Sequence, residues 1–338
     1  MGKTRVGVIG CGYWGPNLIR NFSEIATSEV VGVSDLREER LKTIKSSNHD
    51  LFTTRDYHDL FDMNLDAVVV ATPPVTHFAI AKDALEHDLN VLIEKPLTTT
   101  SAQAEELIDV AAKRGKVLMV GHTFRFNNAV HALKKLADDG EIGRIHYVDT
   151  ARLNLGLFQR DLNVLWDLAP HDLSIISYVL GKNPISLEVY GTACVLKGVF
   201  DVVHMNLIYP GNILAHVHVS WLDPCKVRRV TVVGSKKMVV YNDIEPSEKI
   251  KIYDKGVETP DYTNTFGEFQ CSYRYGDIVI PNIKFVEPLR QECQHFLDCI
   301  VNQTPCETSG EDGLRVVRIL EAAQNALMNG HHEEVLTW

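Results

Sequence analysis

VGVIGCGYWG, residues 6–15, is the stretch that decides the fold. Three of its four glycines follow the G-x-G-x-x-G spacing, at Gly10, Gly12 and Gly15. An apolar strand-like run precedes them, and Pro16 with the periodic NLIRNF predicts a helix directly after them. In this context glycines permit a tight turn, a close backbone approach to a pyrophosphate, and close packing of helix on strand. The stretch therefore predicts a dinucleotide site at the helix N-terminus, with Tyr13 and Trp14 in the same loop.

An acidic residue follows where the ribose of a dinucleotide would need one. Asp35 ends the run EVVGVSD, 20 residues after Gly15. Its carboxylate can accept both hydroxyls of an adenosine ribose and would repel a 2′-phosphate, which favours NAD over NADP. Arg37 is a nearby cation, so a strict preference stays open. The alternative is a structural glycine turn with an unrelated acid.

Residues 1–122 alternate helical patterns with short apolar runs, which are RVGVIG, EVVGVSD, DAVVVAT, NVLIEK and KVLMVGH. This alternation predicts a parallel sheet. Because the runs are continuously apolar and rich in Val and Ile, helices should cover both faces of the sheet. We predict an α/β fold whose first domain, residues 1–122, is a doubly wound Rossmann domain.

Residues 123–338 follow a different pattern. A helical stretch, an alternating run and a long helical segment ending near residue 181 come first. Strand-like runs separated by turn residues fill about 185–254, the segment 255–286 is ambiguous, and helical patterns cover roughly 287–303 and 311–329. A second domain is expected, since 338 residues exceed the roughly 250 to 300 at which one core stops growing. We predict an α+β domain with a large, mostly antiparallel sheet, and an exposed apolar face of that sheet would favour self-association.

Composition excludes several classes of partner. The net charge of −10 repels nucleic acid and anionic membrane surfaces, and no apolar run approaches the ~18 residues of a membrane span. Seven cysteines without a C-x-x-C pair argue against a disulfide framework and against a thiolate metal cluster. His204, His216 and His218 lack an accompanying carboxylate or cysteine at ligand spacing, so no metal is predicted. A cytoplasmic protein is expected.

The carboxyl ends of the strands should line the ligand crevice of a doubly wound sheet. Candidate residues there are Thr72, Pro73, Pro74, His77, Glu94 and Lys95. A partly desolvated ammonium at Lys95 can hydrogen-bond a reacting hydroxyl and stabilise alkoxide character as hydride leaves. Taken alone, a lysine at a strand end is more often simply solvated.

Asp167 and His171 lie four residues apart in WDLAPHD, at a predicted helix start. A carboxylate can fix the tautomer of a neighbouring imidazole and raise its basicity, which is a general-base arrangement. Pro170 leaves open whether one continuous turn carries both side chains, because proline biases the residue before it away from helical angles. The alternative is a capping aspartate and a satisfied buried histidine.

The motifs VGVIGCGYWG, ATPP, EKPL, VGHTFRFN and WDLAPHD, in this order with Asp35, resemble the glucose-fructose oxidoreductase and inositol dehydrogenase family, Gfo/Idh/MocA. The resemblance implies a sugar or cyclitol oxidoreductase in which Lys95 is the catalytic lysine and Asp167 and His171 are the acid/base pair. It also implies that the second domain, residues 123–338, has an open sheet, binds substrate and mediates oligomerisation. Many members have glycines ahead of the aspartate, whereas this chain has Asn163 to Trp166, which indicates a differently shaped substrate pocket.

Within the family, RLNLGLFQRDLNVLWDLAPHD is most similar to enzymes that oxidise the 3-hydroxyl of UDP-linked N-acetylated sugars. Arginines could supply the positive charge that a diphosphate needs. The predicted substrate residues are Lys95, Arg125, Arg152, Asn154, Arg160, Asn163, Trp166 and His171. The predicted cofactor residues are Gly10, Gly12, Tyr13, Trp14, Gly15, Asp35, Arg37, Thr72, Pro73, Pro74, His77, Glu94, Lys95 and Arg125.

The predicted function is NAD-dependent oxidation of a secondary sugar hydroxyl by a homodimer or homotetramer. Three alternatives stay open: an inositol or free-sugar dehydrogenase, an NADPH-dependent sugar ketoreductase, and a regulatory protein that senses NAD without chemistry. Asp35 counts against the ketoreductase, because its carboxylate would repel the 2′-phosphate of NADPH.

Overall fold

The computed structural model describes residues 2–47, 49–156, 158–159, 162–258, 271–330 and 333–338. They form two compact units. Unit 1 comprises Met1–Phe126 and Val286–Glu321, and unit 2 comprises Asn127–Phe285 and Ala322–Trp338. The first boundary lies near the predicted one at residue 122. Residues 286–321, in contrast, belong to the N-terminal unit and not to the second domain where the sequence pattern had placed them.

Unit 1 is built on a parallel sheet of six strands: β1 (Thr4–Ile9), β2 (Ser28–Ser34), β3 (Phe52–Thr54), β4 (Ala67–Val70), β5 (Asn90–Glu94) and β6 (Leu118–Gly121). Their order is β3-β2-β1-β4-β5-β6, so the direction of winding reverses between β1 and β4. This confirms the predicted Rossmann topology. β3 was not predicted, because a three-residue edge strand with a partly exposed Phe52 carries no apolar run.

The helices of unit 1 follow the strands: α1 (Gly15–Glu24), α2 (Glu38–Ser47), α3 (His58–Phe61), α4 (Pro74–Glu86), α5 (Ser101–Arg114) and, far along the chain, α8 (Pro288–Asn302). A 3-10 turn, Thr123–Phe126, follows β6. The apolar face of α8 explains why it belongs to this unit. Phe296 and Cys293 are buried in the core around β1, where the Phe296 ring meets Phe22 edge to face at 6.4 Å.

Unit 2 is built on a nine-stranded sheet: β7 (Ile145–Leu153), β8 (Ser186–Thr192), β9 (Val202–Tyr209), β10 (Ile213–Ser220), β11 (Val227–Gly234), β12 (Met238–Asn242), β13 (Ile250–Glu258), β14 (Ser272–Val279) and β15 (Glu333–Val335). The order is β14-β13-β12-β11-β7-β10-β9-β8-β15. Within the described part of this sheet only the β7–β10 pair is parallel, which confirms the mostly antiparallel sheet. β14 lies in the segment that was ambiguous from sequence.

Two helices of unit 2 precede most of that sheet: α6 (Asn128–Asp138) and α7 (Val164–Leu180). The last helix, α9 (Gly310–Asn329), precedes β15. α7 is apolar on most sides, as expected for a helix with little exposed surface, and it contacts β10 and β7. None of the helices that the structure describes is both long and apolar enough to cross a membrane.

Candidate active site

The glycine loop of unit 1 has the geometry that a pyrophosphate requires. Gly10 has a φ of +100°, and a side chain there would meet the backbone of Ala71 at the end of β4. A Cβ on Gly15 would overlap the carbonyl oxygen of Gly10, so α1 can start close to β1 only with glycine at this position. No side chain of the described residues caps α1, which leaves its first N–H groups for an anion. Tyr13 is exposed, and Trp14 packs against the core.

The Asp35 carboxylate next to this loop is held by groups of three residues, Cys11, Arg37 and Arg40. It accepts the main-chain N–H of Cys11 over 2.7 Å and that of Arg37 over 2.9 Å. The guanidinium of Arg40 lies 3.4 Å from the same carboxylate, and that of Arg37 lies 3.9 Å away. A Cβ added at Gly12 would lie 3.4 Å from the Arg40 guanidinium. The loop and the oriented carboxylate fit a dinucleotide whose adenosine ribose carries no 2′-phosphate. Sequence reasoning missed Arg40, which sits on the first exposed turn of α2 without a motif.

The segment after β4 is tied to the segment after β5 by His77. The histidine is fully buried, and its two ring nitrogens lie 2.8 Å from the carbonyl oxygens of Thr72 and Pro96. Burial lowers the pKa of His77. This places His77 behind the loop as a positioning group. Pro73 precedes α4, Pro74 begins it, and Thr76 donates to Pro73 and Thr72 within its first turn.

Lys95 follows β5 directly and is half-buried, with a cis peptide bond to Pro96. The preceding Glu94 is buried, and its carboxylate accepts the main-chain N–H of Lys95 over 3.3 Å. Burial raises the pKa of Glu94 to about 7, although the Lys95 charge opposes the shift. Glu94 therefore holds the main chain at Lys95 through this hydrogen bond.

A second buried carboxyl group lies in the same part of unit 1. Glu292 of α8 accepts the hydroxyl of Thr123 over 2.7 Å. Burial and the charge of Glu94 raise the pKa of Glu292 well above its ordinary value. Sequence reasoning missed Glu292, because nothing in the pattern of α8 indicated that this helix returns to the N-terminal sheet.

Arg125 is buried in unit 1 and paired internally. Its guanidinium donates to the carbonyl oxygen of Glu307 over 2.9 Å and lies 3.9 Å from the Glu307 carboxylate. The carboxylate of Asp312 lies 3.7 Å away. Two acids thus compensate this charge, so Arg125 does not offer the uncompensated positive charge that the sequence argument assigned to it.

In unit 2, Asp167 and His171 lie one turn apart on the single continuous helix α7. Pro170 lies inside the helix, so one continuous helix carries both Asp167 and His171. Asn163 caps the helix by accepting the N–H of Trp166 over 3.3 Å, which means that Asp167 is not the cap. The indole N–H of the buried Trp221 donates to Asp167 over 3.0 Å and fixes its orientation.

Three other predicted substrate residues of unit 2, Arg152, Asn163 and Trp166, have side-chain partners within the unit. Arg152 and Asp172 form a buried bidentate pair at 2.9 and 3.0 Å. The side chains of Asn163 and Trp166 both donate to Gln324, over 2.7 and 3.2 Å. Asn154 is half-buried, next to β7. Arg160 lies outside the described residues. The diphosphate argument therefore loses Arg152 as well as Arg125.

The histidines His204, His216 and His218 lie together on the sheet of unit 2. The rings of His204 and His218 stack at 3.9 Å, and His216 lies 5.6 Å from His204. His216 has Asn206 as a hydrogen-bond partner at 2.8 Å. Burial and the two neighbouring histidines lower the pKa of His218 to about 4. Ring stacking accounts for this cluster.

Comparison with known proteins identifies the family. Residues 4–122 match the model described as "Oxidoreductase family, NAD-binding Rossmann fold", and residues 130–240 match the Gfo/Idh/MocA C-terminal domain. A UDP-N-acetylglucosamine 3-dehydrogenase of Acidithiobacillus ferrooxidans is 31% identical over 93% of this chain and 94% of its own. The chain belongs to the Gfo/Idh/MocA family. It is an oxidoreductase, and its cofactor is NAD.

Two further similarities bear on fold and substrate. A myo-inositol 2-dehydrogenase of Thermotoga maritima is 25% identical over 96% of both chains. The solved structure of UDP-N-acetylglucosamine 3-dehydrogenase GnnA from Acidithiobacillus ferrooxidans has a TM-score of 0.82 at 24% identity, covering 97% of this chain and 99% of that one. The structural match shows the shared fold. Membership of this oxidoreductase family excludes the alternative of a regulatory protein that senses NAD without chemistry.

Proposed function

We propose that this protein oxidises the 3-hydroxyl of a UDP-linked N-acetylated hexose or hexuronate to a ketone. The observation that carries the proposal is the arrangement on α7. Asp167 and His171 occupy consecutive turns of one helix, and Trp221 holds the Asp167 carboxylate. A carboxylate fixed in this way can orient an imidazole that accepts a proton at neutral pH.

Each residue of the proposed mechanism has a distinct task. His171 takes the hydroxyl proton, and Asp167 stabilises the imidazolium that forms. Lys95 acts as a hydrogen-bond donor that stabilises the negative charge developing on the substrate hydroxyl as hydride leaves. NAD, when bound, supplies the hydride acceptor. Asp35 and the glycine loop hold its ribose and pyrophosphate, and His77 and Glu94 support the segments that carry Thr72 and Lys95.

The proposed substrate class is supported more by similarity to relatives than by positively charged side chains. The relative at 31% identity acts on UDP-N-acetylglucosamine. Among the predicted arginines, Arg125 and Arg152 are paired with acids, so they do not add support for a diphosphate. An inositol dehydrogenase is the second candidate, because a relative with that activity matches 96% of the chain at 25% identity.

A substrate panel separates the two candidates. Purified protein is mixed with NAD and either UDP-N-acetylated sugars, free hexoses or inositols, and formation of NADH is followed by its absorbance. We expect NADH only with the UDP-sugars. Consumption of a UDP-sugar without net formation of NADH, seen only when a keto acid is present, would indicate a retained cofactor that the keto acid re-oxidises. NADH from inositol alone would overturn the substrate assignment.

The assignment of the reacting residues is tested by Lys95→Ala and His171→Ala. Both should lower kcat about 100-fold or more and leave NAD binding nearly intact, by the usual worth of general-base and electrostatic catalysis. Matched controls are Lys113→Ala and His146→Ala, which change exposed side chains of the same types. Unchanged turnover in both active-site variants would remove the two residues from the mechanism. Self-association as a dimer or tetramer and a cytoplasmic location stay predictions.

A further inference from the structure

A group of three metal-ligand side chains lies in unit 1, apart from the residues assigned to the reaction. His295 and Cys299 are one turn apart on α8, and Cys306 lies in the loop that follows this helix. One ligand atom of each lies within 4.8 Å of the other two. We propose that His295, Cys299 and Cys306 bind a zinc ion, with water in the fourth position.

The spacing of the three atoms fits tetrahedral coordination. Zinc bonds of about 2.3 Å to sulfur and about 2.0 Å to nitrogen imply separations of about 3.6 Å between sulfur and nitrogen and about 3.8 Å between the two sulfurs. The distance from Cys299 Sγ to His295 Nε2 is 3.4 Å. With the whole set inside 4.8 Å, closing on a metal requires a movement of about 1 Å at most.

The histidine has the tautomer that zinc needs. Nε2 of His295 accepts the main-chain N–H of Glu307 over 2.9 Å, so this nitrogen carries the lone pair and Nδ1 carries the proton. Zinc on Nε2 uses that same tautomer and takes the place of the Glu307 amide hydrogen. Both thiols lose their protons when zinc binds. The two thiolates then carry a charge of −2, which balances the +2 charge of Zn²⁺, and the imidazole stays neutral.

The donor set favours zinc over harder cations. Two thiolates and an imidazole are ligands of zinc and of other soft or borderline metals, whereas calcium and magnesium take oxygen ligands. The half-buried His295 leaves access for the water in the fourth position. Spacing rules overlooked this site because its cysteines are seven residues apart and no C-x-x-C pair is present.

The metal would join α8 to a loop that is already held on the sheet. Thr308 donates its hydroxyl to the carbonyl oxygen of Val120 over 2.8 Å and accepts the Val120 N–H over 2.9 Å. Cys306 is therefore two residues from a segment fixed on β6. A zinc ion between this segment and α8 should stabilise unit 1, because metal binding to the folded state adds to its stability.

The experiment uses the full chain, purified without chelator and with its thiols reduced. We expect close to one zinc per chain by elemental analysis, and a higher melting temperature with zinc than with chelator. After zinc is removed, Co²⁺ should give thiolate charge-transfer bands and the strong visible bands of a tetrahedral site. Cys306→Ser should remove the charge-transfer intensity contributed by its sulfur and weaken zinc binding by roughly 100-fold or more, since even outer residues of metal sites are worth 10- to 100-fold.

The matched control is Cys225→Ser, which removes an exposed thiol remote in sequence from the three ligands. It should bind zinc and cobalt as the original protein does. The proposal is overturned if the reduced protein binds no zinc and gives cobalt bands identical to those of Cys306→Ser. It is equally overturned if Cys225→Ser loses binding to the same degree, or if Cys299 and Cys306 are isolated as a disulfide that forms in place of a metal complex.

Discussion

At the scale of single residues, Asp35 shows how one carboxylate can select a cofactor against its own surroundings. Arg37 and Arg40 both lie within 4 Å of it, and without the acid they would form a cationic pair suited to a 2′-phosphate. The Asp35 carboxylate offsets one of their two positive charges, and it would repel a phosphate placed on the ribose. We therefore expect the preference for NAD to depend on the single carboxylate of Asp35, which lies beside the guanidinium groups of Arg37 and Arg40.

Replacing Asp35 with serine should shift the cofactor preference toward NADP. NAD loses hydrogen bonds from its ribose to a charged group, worth about 1.5 to 3 kcal/mol, so kcat/KM for NAD should fall roughly 10- to 100-fold. NADP should gain, because both guanidinium groups become available to its phosphate. The measurement is kcat/KM with each cofactor at fixed substrate.

Arg40→Ala in the Asp35→Ser background is the control for that experiment. The double variant should lose most of the gain with NADP and recover nothing with NAD, because Arg40 lies closest to the vacated position. A double variant that uses NADP as well as Asp35→Ser does would show that Arg40 has no part in cofactor choice.

At the scale of secondary-structure elements, α7 is held in place by a buried ion pair. Arg152 on β7 and Asp172 on α7 are 3% and 1% exposed and bonded through two hydrogen bonds. Asp172 directly follows His171 in the chain, so the pair sets the rotation of the helix turn that carries the proposed base. Removal of either partner leaves the other charge buried without compensation, which is strongly destabilising.

Asp172→Asn should therefore lower the free energy of unfolding of unit 2 by about 3 to 5 kcal/mol, as measured by urea denaturation. The double variant Arg152→Leu with Asp172→Leu should regain much of this loss, because apolar residues of similar volume often replace a buried pair at little cost. Asp149→Asn on the same strand is the control. Its ion pair with Arg229 is partly exposed, at 3.7 Å, and should contribute less than about 1 kcal/mol. Equal losses for the two single variants would contradict the role given to the buried pair.

The elements that sequence predicted correctly are those with a local cause. Continuous Val and Ile runs specify β1 and β4, and glycines at positions 10 and 15 specify the loop, because each effect acts between neighbours in the chain. The cap at Asn163 and the continuity of α7 through Pro170 needed the structure, since tertiary packing decides whether a helix tolerates an internal proline.

What sequence did not predict depends on contacts between distant segments. α8 reaches the N-terminal core through Phe296, and it brings Glu292 to Thr123 and places the metal-ligand group near β6. Arg125 was expected to serve a ligand, but the acids that neutralise it, Glu307 and Asp312, lie nearly 200 residues later and could not be paired with it from the sequence.

At the scale of the whole molecule, stability depends on pH through two buried titratable groups, His122 and Glu94. Their contributions to stability change with pH in opposite directions. The pKa of His122 is lowered to about 3, first by burial and then by the charges of Arg125 and Lys95. Such a histidine stays neutral when folded, so stability is lost as pH falls below the ordinary histidine pKa, near 6.5. Glu94 acts in the opposite direction, since burial raises its pKa from 4.5 to about 7.

The contribution of Glu94 can be isolated with Glu94→Gln, whose side chain resembles the protonated acid in shape. Between pH of about 4.5 and 7 the folded protein binds more protons at this site than the unfolded chain, so stability decreases as pH rises. At pH 4 the two proteins should melt alike. The variant should then become progressively more stable than the original, by at most about 3 kcal/mol near pH 7, with no further change above it.

The control is Glu106→Gln, which alters an exposed carboxylate and should show no such divergence. A constant difference between Glu94→Gln and the original protein across this range would mean that Glu94 is ionised in the folded state throughout, and that the Lys95 charge outweighs its burial.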